Sequence, residues 1–169
     1  MEIMEDARDA GEPRLLAGLA LLAPVVFVIH VIEEGPRFVP WFNSLVEPDI
    51  SEPLFLTVNG VAFLITVALA SALAATREPA IAVVDLAWLG FLMFANGLFH
   101  LTATVVHHRY SPGSITAACL YLPYFALLFT VVLRRLRVSW GVALLATVLG
   151  ALPMAAHGYL IVFRGSRLF

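Results

Sequence analysis

Five apolar runs dominate this chain, at roughly Leu15 to Ile32, Leu54 to Ala75, Ala80 to Val106, Ile115 to Leu133 and Val138 to Phe163. A run of about 18 or more apolar residues is long enough to cross a bilayer as a helix. With 61% apolar residues and a mean hydropathy of +0.92, the chain lies outside the range of soluble globular domains. The expected fold class is all-α: a polytopic membrane protein built as a bundle of five transmembrane helices. Residues 15–163 form one transmembrane domain, preceded by a short acidic tail (1–14), interrupted by an interfacial loop (35–53) and followed by a C-terminal tail (164–169).

What surrounds the runs narrows the function. Glu2, Glu5, Asp6, Asp9 and Glu12 face the single Arg8 in the first dozen residues, the reverse of a secretory leader, so the first helix is expected to stay as an anchor. Cys119 is the lone cysteine and excludes both a disulfide framework and a thiolate cluster. A net charge of -2 without a basic stripe leaves no case for a nucleic-acid partner.

Five crossings put the termini on opposite sides. One side then holds Arg8, Arg14, Arg77, Arg134, Arg135 and Arg137, and the other holds Arg37, Arg109, Arg164 and Arg167. The excess of cations places the N-terminus in the cytoplasm. Helices one, three and five run in the same direction, so His30, His100, His107, His108 and His157 all fall in one leaflet, together with Glu33 and Glu34. With a rise of about 1.5 Å per residue, His30, His100 and His157 lie about 8 to 14 Å below the adjoining loops. They are deep enough to share a chamber, with His107 and His108 at its mouth.

Two polar faces point into that chamber. His30, Glu33 and Glu34 have the i, i+3, i+4 spacing of one helix face, which lets His30 pair with Glu34 one turn further on. Asn96, His100, Thr104 and His107 form a second stripe at spacings of four, four and three. The competing explanation is helix-to-helix hydrogen bonding, which contributes only about 0.6 kcal/mol per contact in membranes. His157 follows a kink expected at Pro153. Asn59 is a candidate outer donor and Tyr121 and Tyr124 are read mainly as packing; Asp85, toward the opposite face, is read as a helix-end or structural residue. The loop 35–53, broken by Pro36, Pro40, Pro48 and Pro53 and carrying Phe38, Trp41 and Phe42, reads as a lid at the headgroup level. In the turn Arg109 to Ser114, Ser111 is expected to cap the fourth helix with Pro112 in its first position, leaving a helix N-terminus suited to an anion.

Imidazole and carboxylate donors suit zinc, iron or manganese, so His30, Glu34, His100 and His157 are the candidate ligands of a divalent metal that leaves a position open for water. Glu33, Glu34, His30, Asn96 and His100 are the candidate catalytic residues, and Asn59, Thr104, His107, Tyr110 and Ser111 the supporting ones. Without a metal, the same His and Glu side chains can act as general acid and base.

His30-Val31-Ile32-Glu33-Glu34, Asn96-Gly97-Leu98-Phe99-His100 and Tyr110-Ser111-Pro112-Gly113 together resemble the HXXEE, NxxxH and YSPG elements of a family of bacterial membrane proteins named for its HXXEE motif. They occur in that order and bracket about half of the chain. The resemblance implies a bacterial plasma membrane, which the exclusive use of arginine over lysine also suits, and supports the choice of residues; it names no reaction and does not extend to His157. The leading expectation is a membrane enzyme acting, with a divalent metal, on a lipid or other hydrophobic small molecule in the outer leaflet. Alternatives are a metal-free isomerase or cyclase for an isoprenoid-like substrate and a non-enzymatic, proton-coupled transporter or binding protein. Partners are the bilayer and a hydrophobic small molecule, and a homo-oligomer is compatible with the sequence.

Overall fold

The structure, a computed structural model, describes residues 2–168, with side chains from residue 14 onward; Glu2 to Glu12, which carry the expected acidic character of the tail, lie outside the described side chains. The elements in chain order are α1 (Glu2–Glu34), α2 (Phe38–Asn43), α3 (Glu52–Thr76), α4 (Pro79–Leu89), a π-helical turn (Gly90–Ala95), α5 (Asn96–Val106), α6 (Ser114–Thr116), a second π-helical turn (Ala117–Tyr121), α7 (Leu122–Arg135) and α8 (Trp140–Arg164). No strand occurs among the described residues. Five helices among them are long and apolar enough to cross a membrane, at Arg14–Glu34, Glu52–Thr76, Pro79–Val106, Ser114–Arg135 and Trp140–Arg164. The all-α expectation therefore holds. α1 also extends back through most of the acidic segment expected as a tail.

Local chemistry sets the ends of these spans. The Ser51 and Ser139 hydroxyls accept the backbone N–H groups of Leu54 and Val142, each at 3.3 Å, and so cap α3 and α8. At its far end α8 stops at Gly165 (φ 61°), whose N–H returns to Leu160 O. The π turn Ala117–Tyr121 ends two residues before Pro123. Proline has no N–H for the carbonyl four residues back and its ring crowds that carbonyl, and a widened turn relieves both problems.

The outside of the bundle is apolar: Leu56 (63% exposed), Leu64 (66%) and Val105 (70%) face outward, as lipid-facing residues must. Inside, Leu16, Ala20 and Phe27 of α1 pack with Leu73, Leu86, Met93, Leu128 and Val132 in one core, while Trp41, Phe42, Phe99, Met154 and Ile161 make a second, smaller one. The third and fifth spans meet backbone to backbone. A Cβ on Gly90 would lie 2.7 Å from Thr147 O, and one on Gly150 only 1.8 Å from Ala87 O. Small residues allow this approach, which is how helices gain van der Waals contact when lipid offers no hydrophobic drive.

The loop expected as a lid contains the short helix α2, with Val39, Trp41 and Phe42 buried against the bundle. Arg109 donates to the Ser44 hydroxyl (2.6 Å) and Glu47 N–H to Gly165 O (3.4 Å). The first loop, the turn after α5 and the segment after α8 thus meet at one end of the bundle, as the parity of the crossings requires.

Candidate metal centre

His30 and Glu34 occupy the last turn of α1, one turn apart, and both face inward: His30 is 1% exposed and Glu34 4%. His100 comes from α5 and is fully buried. Glu34 Oε1 lies 3.5 Å from His30 Nε2 and 3.0 Å from His100 Nε2, and one ligand atom from each of the three residues falls within 4.8 Å of the others. Neither Nε2 has a partner in hydrogen-bonding alignment among the described residues, so these are close approaches in distance without being aligned hydrogen bonds. Bonds of about 2.0 to 2.1 Å to a tetrahedral ion would set neighbouring ligand atoms about 3.4 Å apart. The two measured separations bracket that value, and the group could hold a metal ion.

The far side of each imidazole is held by a hydroxyl. His30 Nδ1 lies 2.7 Å from Thr116 Oγ1. Thr116 commits its one hydroxyl proton to Glu33 Oε2, so toward His30 its oxygen accepts. A neutral His30 therefore carries its proton on Nδ1 and turns the lone pair of Nε2 toward Glu34. His100 Nδ1 is 3.0 Å from Ser111 Oγ. Metal-binding histidines are oriented in this way by partners on the other ring nitrogen.

The turn after α5 is built around these contacts. Ser111 N–H donates to Thr104 Oγ1 (3.1 Å), and the Ser114 hydroxyl lies 2.7 Å from Thr104 Oγ1. Gly113, at φ 101°, has no room for a side chain, because a Cβ would come within 2.8 Å of His30 Cε1 and 2.9 Å of His100 Cε1. Tyr121, at the end of the second π turn, stacks on His30 with ring centroids 4.0 Å apart. Phe38 and Phe99 stand edge-on to His100, at 6.0 and 5.0 Å. The three ligand residues are thus walled by aromatic rings.

Several expectations change on this geometry. Ser111 does not cap the fourth span: its hydroxyl faces His100, and the helix starts at Ser114 behind left-handed Gly113. The cap comes from α1, where the Glu33 carboxylate accepts Ile115 N–H (3.1 Å), Thr116 N–H (2.7 Å) and the Tyr110 hydroxyl. The anion suited to that helix N-terminus is therefore the protein's own. Tyr110, outside the spans, has its phenol pushed up to about 12, first by partial desolvation and then by the Glu33 carboxylate it donates to.

His157 does not join His30, Glu34 and His100. It stacks on Phe42 at 6.4 Å, and its Nδ1 accepts Leu168 N–H at 3.1 Å. The expected leaflet was compatible with a shared chamber, but its face of α8 looks toward α2. Asn59 bonds back to Phe55 O of its own helix at 3.0 Å. Asn96 lies one turn before His100, with a buried Oδ1 that has no hydrogen-bond partner among the described residues. His107 closes α5 with Nε2 buried and in the same condition. Asp85 is not at a helix end but two turns inside the third span, 1% exposed. Thr116 is the residue at the centre that sequence reasoning missed; it reads Tyr121 mainly as packing, and Gly113 enters only as part of the Tyr110-to-Gly113 element. The spacing from Gly113 to Thr116 is the one available hint, since it makes a polar first turn.

Comparison with curated proteins and with solved structures finds no match. A family model described as a protein of unknown function with HXXEE motif matches residues 21–128, well over half of the chain, and includes His30, Glu33, Glu34, His100 and the turn that holds them. This chain belongs to the HXXEE-motif family.

Proposed function

We propose that the protein is an integral membrane enzyme in which His30, Glu34 and His100 bind a divalent metal, zinc, iron or manganese, that activates water against a hydrophobic small molecule. The observation that carries this reading is the convergence of two buried, unaligned Nε2 atoms on one carboxylate oxygen, with each Nδ1 held from behind by a hydroxyl. Histidines that hold a metal are oriented by a partner on the ring nitrogen that does not face the ion. Three protein ligands leave a tetrahedral ion one open position, the usual form of a catalytic site. Glu34 Oε1 faces both histidines, so Oε2 is the atom left to take a proton. Asn96 Oδ1 is an acceptor available to orient substrate. Glu33 serves as cap and positioning residue in this reading. The location proposed is the bacterial plasma membrane, with the N-terminus cytoplasmic and the centre in the outer half.

Elemental analysis of the full chain purified in detergent tests the proposal. About one equivalent of transition metal per chain is expected, removed by chelator, lost in His30→Ala, Glu34→Ala and His100→Ala and kept in His157→Ala. Wild-type protein with only trace metal, unchanged by these substitutions, sinks it. The 3.0 Å approach of Glu34 to His100 supports a second reading, a metal-free proton-transfer isomerase or cyclase for an isoprenoid-like substrate. Turnover that persists in chelator and disappears in Glu34→Gln selects that one.

A further inference from the structure

Asp85 is the one acidic side chain of the third span, and the centre at His30, Glu34 and His100 does not use it. It lies six residues beyond Pro79, about 9 Å of helix, and about 22 Å along the same span from His100. Ala82, Leu86 and Leu89 beside it are fully buried, and Asp85 itself is 1% exposed. Neither of its carboxyl oxygens has a hydrogen-bond partner among the described residues, and no charged side chain among them lies within electrostatic reach. The second, fourth and fifth spans pack on this part of the third. The second and fifth offer Asp85 no ionisable group, and the fourth offers Tyr124, which is within electrostatic reach of it. The Tyr124 hydroxyl donates to Leu19 O of α1 at 2.8 Å.

A carboxylate inside a span is costly unless something neutralises it, and an acid kept there marks a site for a cation or a proton. Donor count separates the two. A calcium or magnesium ion takes about six or more oxygen ligands. No second acid or histidine joins Asp85 in a ligand group, and the buried hydroxyls of the flanking spans, Thr66 and Thr147, donate to Ala62 O and Ala143 O of their own helices at 2.8 and 2.9 Å. A proton needs only one carboxyl oxygen, and the neutral acid it makes needs no counter-ion. When that proton leaves, the charge left behind calls for a donor. Tyr124 has one hydroxyl proton, which serves either Leu19 O or the carboxylate, and the charged acceptor makes the stronger bond.

We propose that Asp85 is a proton-binding site in the half of the bundle away from His30, Glu34 and His100. Its carboxyl takes a proton from the water beyond Pro79 and returns it there, and the Tyr124 hydroxyl turns from Leu19 O to the carboxylate each time the proton leaves. The site stands independently of the metal reading.

The test treats the full chain in detergent with N,N′-dicyclohexylcarbodiimide, an apolar reagent that adds only to a protonated carboxyl, and counts the modified peptides by mass spectrometry across pH. A carboxyl in water, with a midpoint near 3.9, is protonated in about one molecule per thousand at pH 7, so exposed Asp49 serves as the internal reference. Labelling of Asp85 at pH 7 is expected to exceed that of Asp49 at least about tenfold and to decline along a one-proton curve as the pH is raised. Asp85→Asn, which replaces the neutral acid with a neutral amide of the same size, should fold as wild type and lose the adduct. Tyr124→Phe should move the midpoint of the curve upward by about one pH unit, the equivalent of one hydrogen bond to a charged group. Labelling no greater than that of Asp49 overturns the site, as does labelling that stays constant up to the pH at which the chain unfolds. An unchanged midpoint in Tyr124→Phe overturns the part given to the hydroxyl. If the bundle excludes the reagent, the infrared difference between wild type and Asp85→Asn decides: a protonated-carboxyl C=O band that disappears along a one-proton curve is expected, and carboxylate bands alone at every pH sink the proposal.

Discussion

Replacing Gly113 with alanine tests the centre from the side that carries no ligand. The glycine sits at φ 101°, and a Cβ there would approach His30 Cε1 to 2.8 Å and His100 Cε1 to 2.9 Å. A left-handed backbone bearing a Cβ costs about 1 to 2 kcal/mol, and forcing an extra methyl into a packed site costs about 1 to 3 kcal/mol. The expected loss is therefore about 2 to 5 kcal/mol, or a Tm lowered by about 4 to 20 °C at the usual 2 to 4 °C per kcal/mol for a chain of this size. Ordinary contact begins at 3.4 Å, so the His30 ring must retreat by about 0.6 Å, beyond the roughly 0.2 Å tolerance of a metal-ligand distance. Thermal unfolding in detergent and a metal competition titration read the two effects separately, with at least a tenfold loss of affinity expected in the second. Gly60→Ala is the control, because nothing lies within 4 Å of the added methyl and a helical Gly→Ala change is neutral or stabilising by up to about 1 kcal/mol. Wild-type behaviour of Gly113→Ala in both assays, or equal shifts in the two variants, would refute the argument.

Thr116→Val removes the hydroxyl between His30 and Glu33 at nearly constant volume; metal affinity should fall about 10- to 100-fold, and Thr116→Ser should restore it. Tyr110→Phe should remove one late-titrating phenol from the tyrosinate absorbance difference between wild type and variant, since the Tyr110 hydroxyl is pushed up to about 12. A pKa raised in the folded state means that Tyr110 supports the fold fully below about pH 10 and loses that support as pH climbs toward 12; a difference titrating at 10 contradicts the contact with Glu33. Gly150→Ala should cost more than about 4 kcal/mol, because its Cβ would sit 1.8 Å from Ala87 O; Gly141→Ala, with nothing within 4 Å, should leave the yield of monodisperse protein and its Tm unchanged.

The bundle was legible because length and apolarity are enough to define a span, and the observed boundaries fall within about three residues of the expected ones. The parity of the crossings also put His30, Glu33, Glu34 and His100 at one end, and helical spacing grouped them into two polar faces without deciding between Glu33 and Glu34. What the sequence left undecided was which helix faces meet. His157 has the right depth, but rotation about α8 turns it to Phe42. Glu33 and Glu34 are adjacent letters with similar chemistry, and only the arrival of the fourth span beside the end of α1 separates a cap from a buried candidate ligand. Thr116 and Gly113 gain their meaning from that same arrival, and no periodicity encodes it. The aromatic loop offered proline breaks and interface-loving rings, yet its packing against His100 and His157 arises from α2, a helix too short to announce itself.

Each π-helical turn holds one residue more than the α-helical path around it, and one residue is about 100° of rotation. In the third span the turn Gly90–Ala95 begins at the glycine contact with the fifth span and ends just before the stripe that carries Asn96 and His100. The two ends of this helix are consequently indexed to different neighbours, one to Thr147 and the other to α1 and the turn at Gly113. A chain that lost a single residue between 90 and 95 would keep every letter of its three motifs and still point His100 away from Glu34. Inheritance of this centre thus depends on counting as much as on spelling.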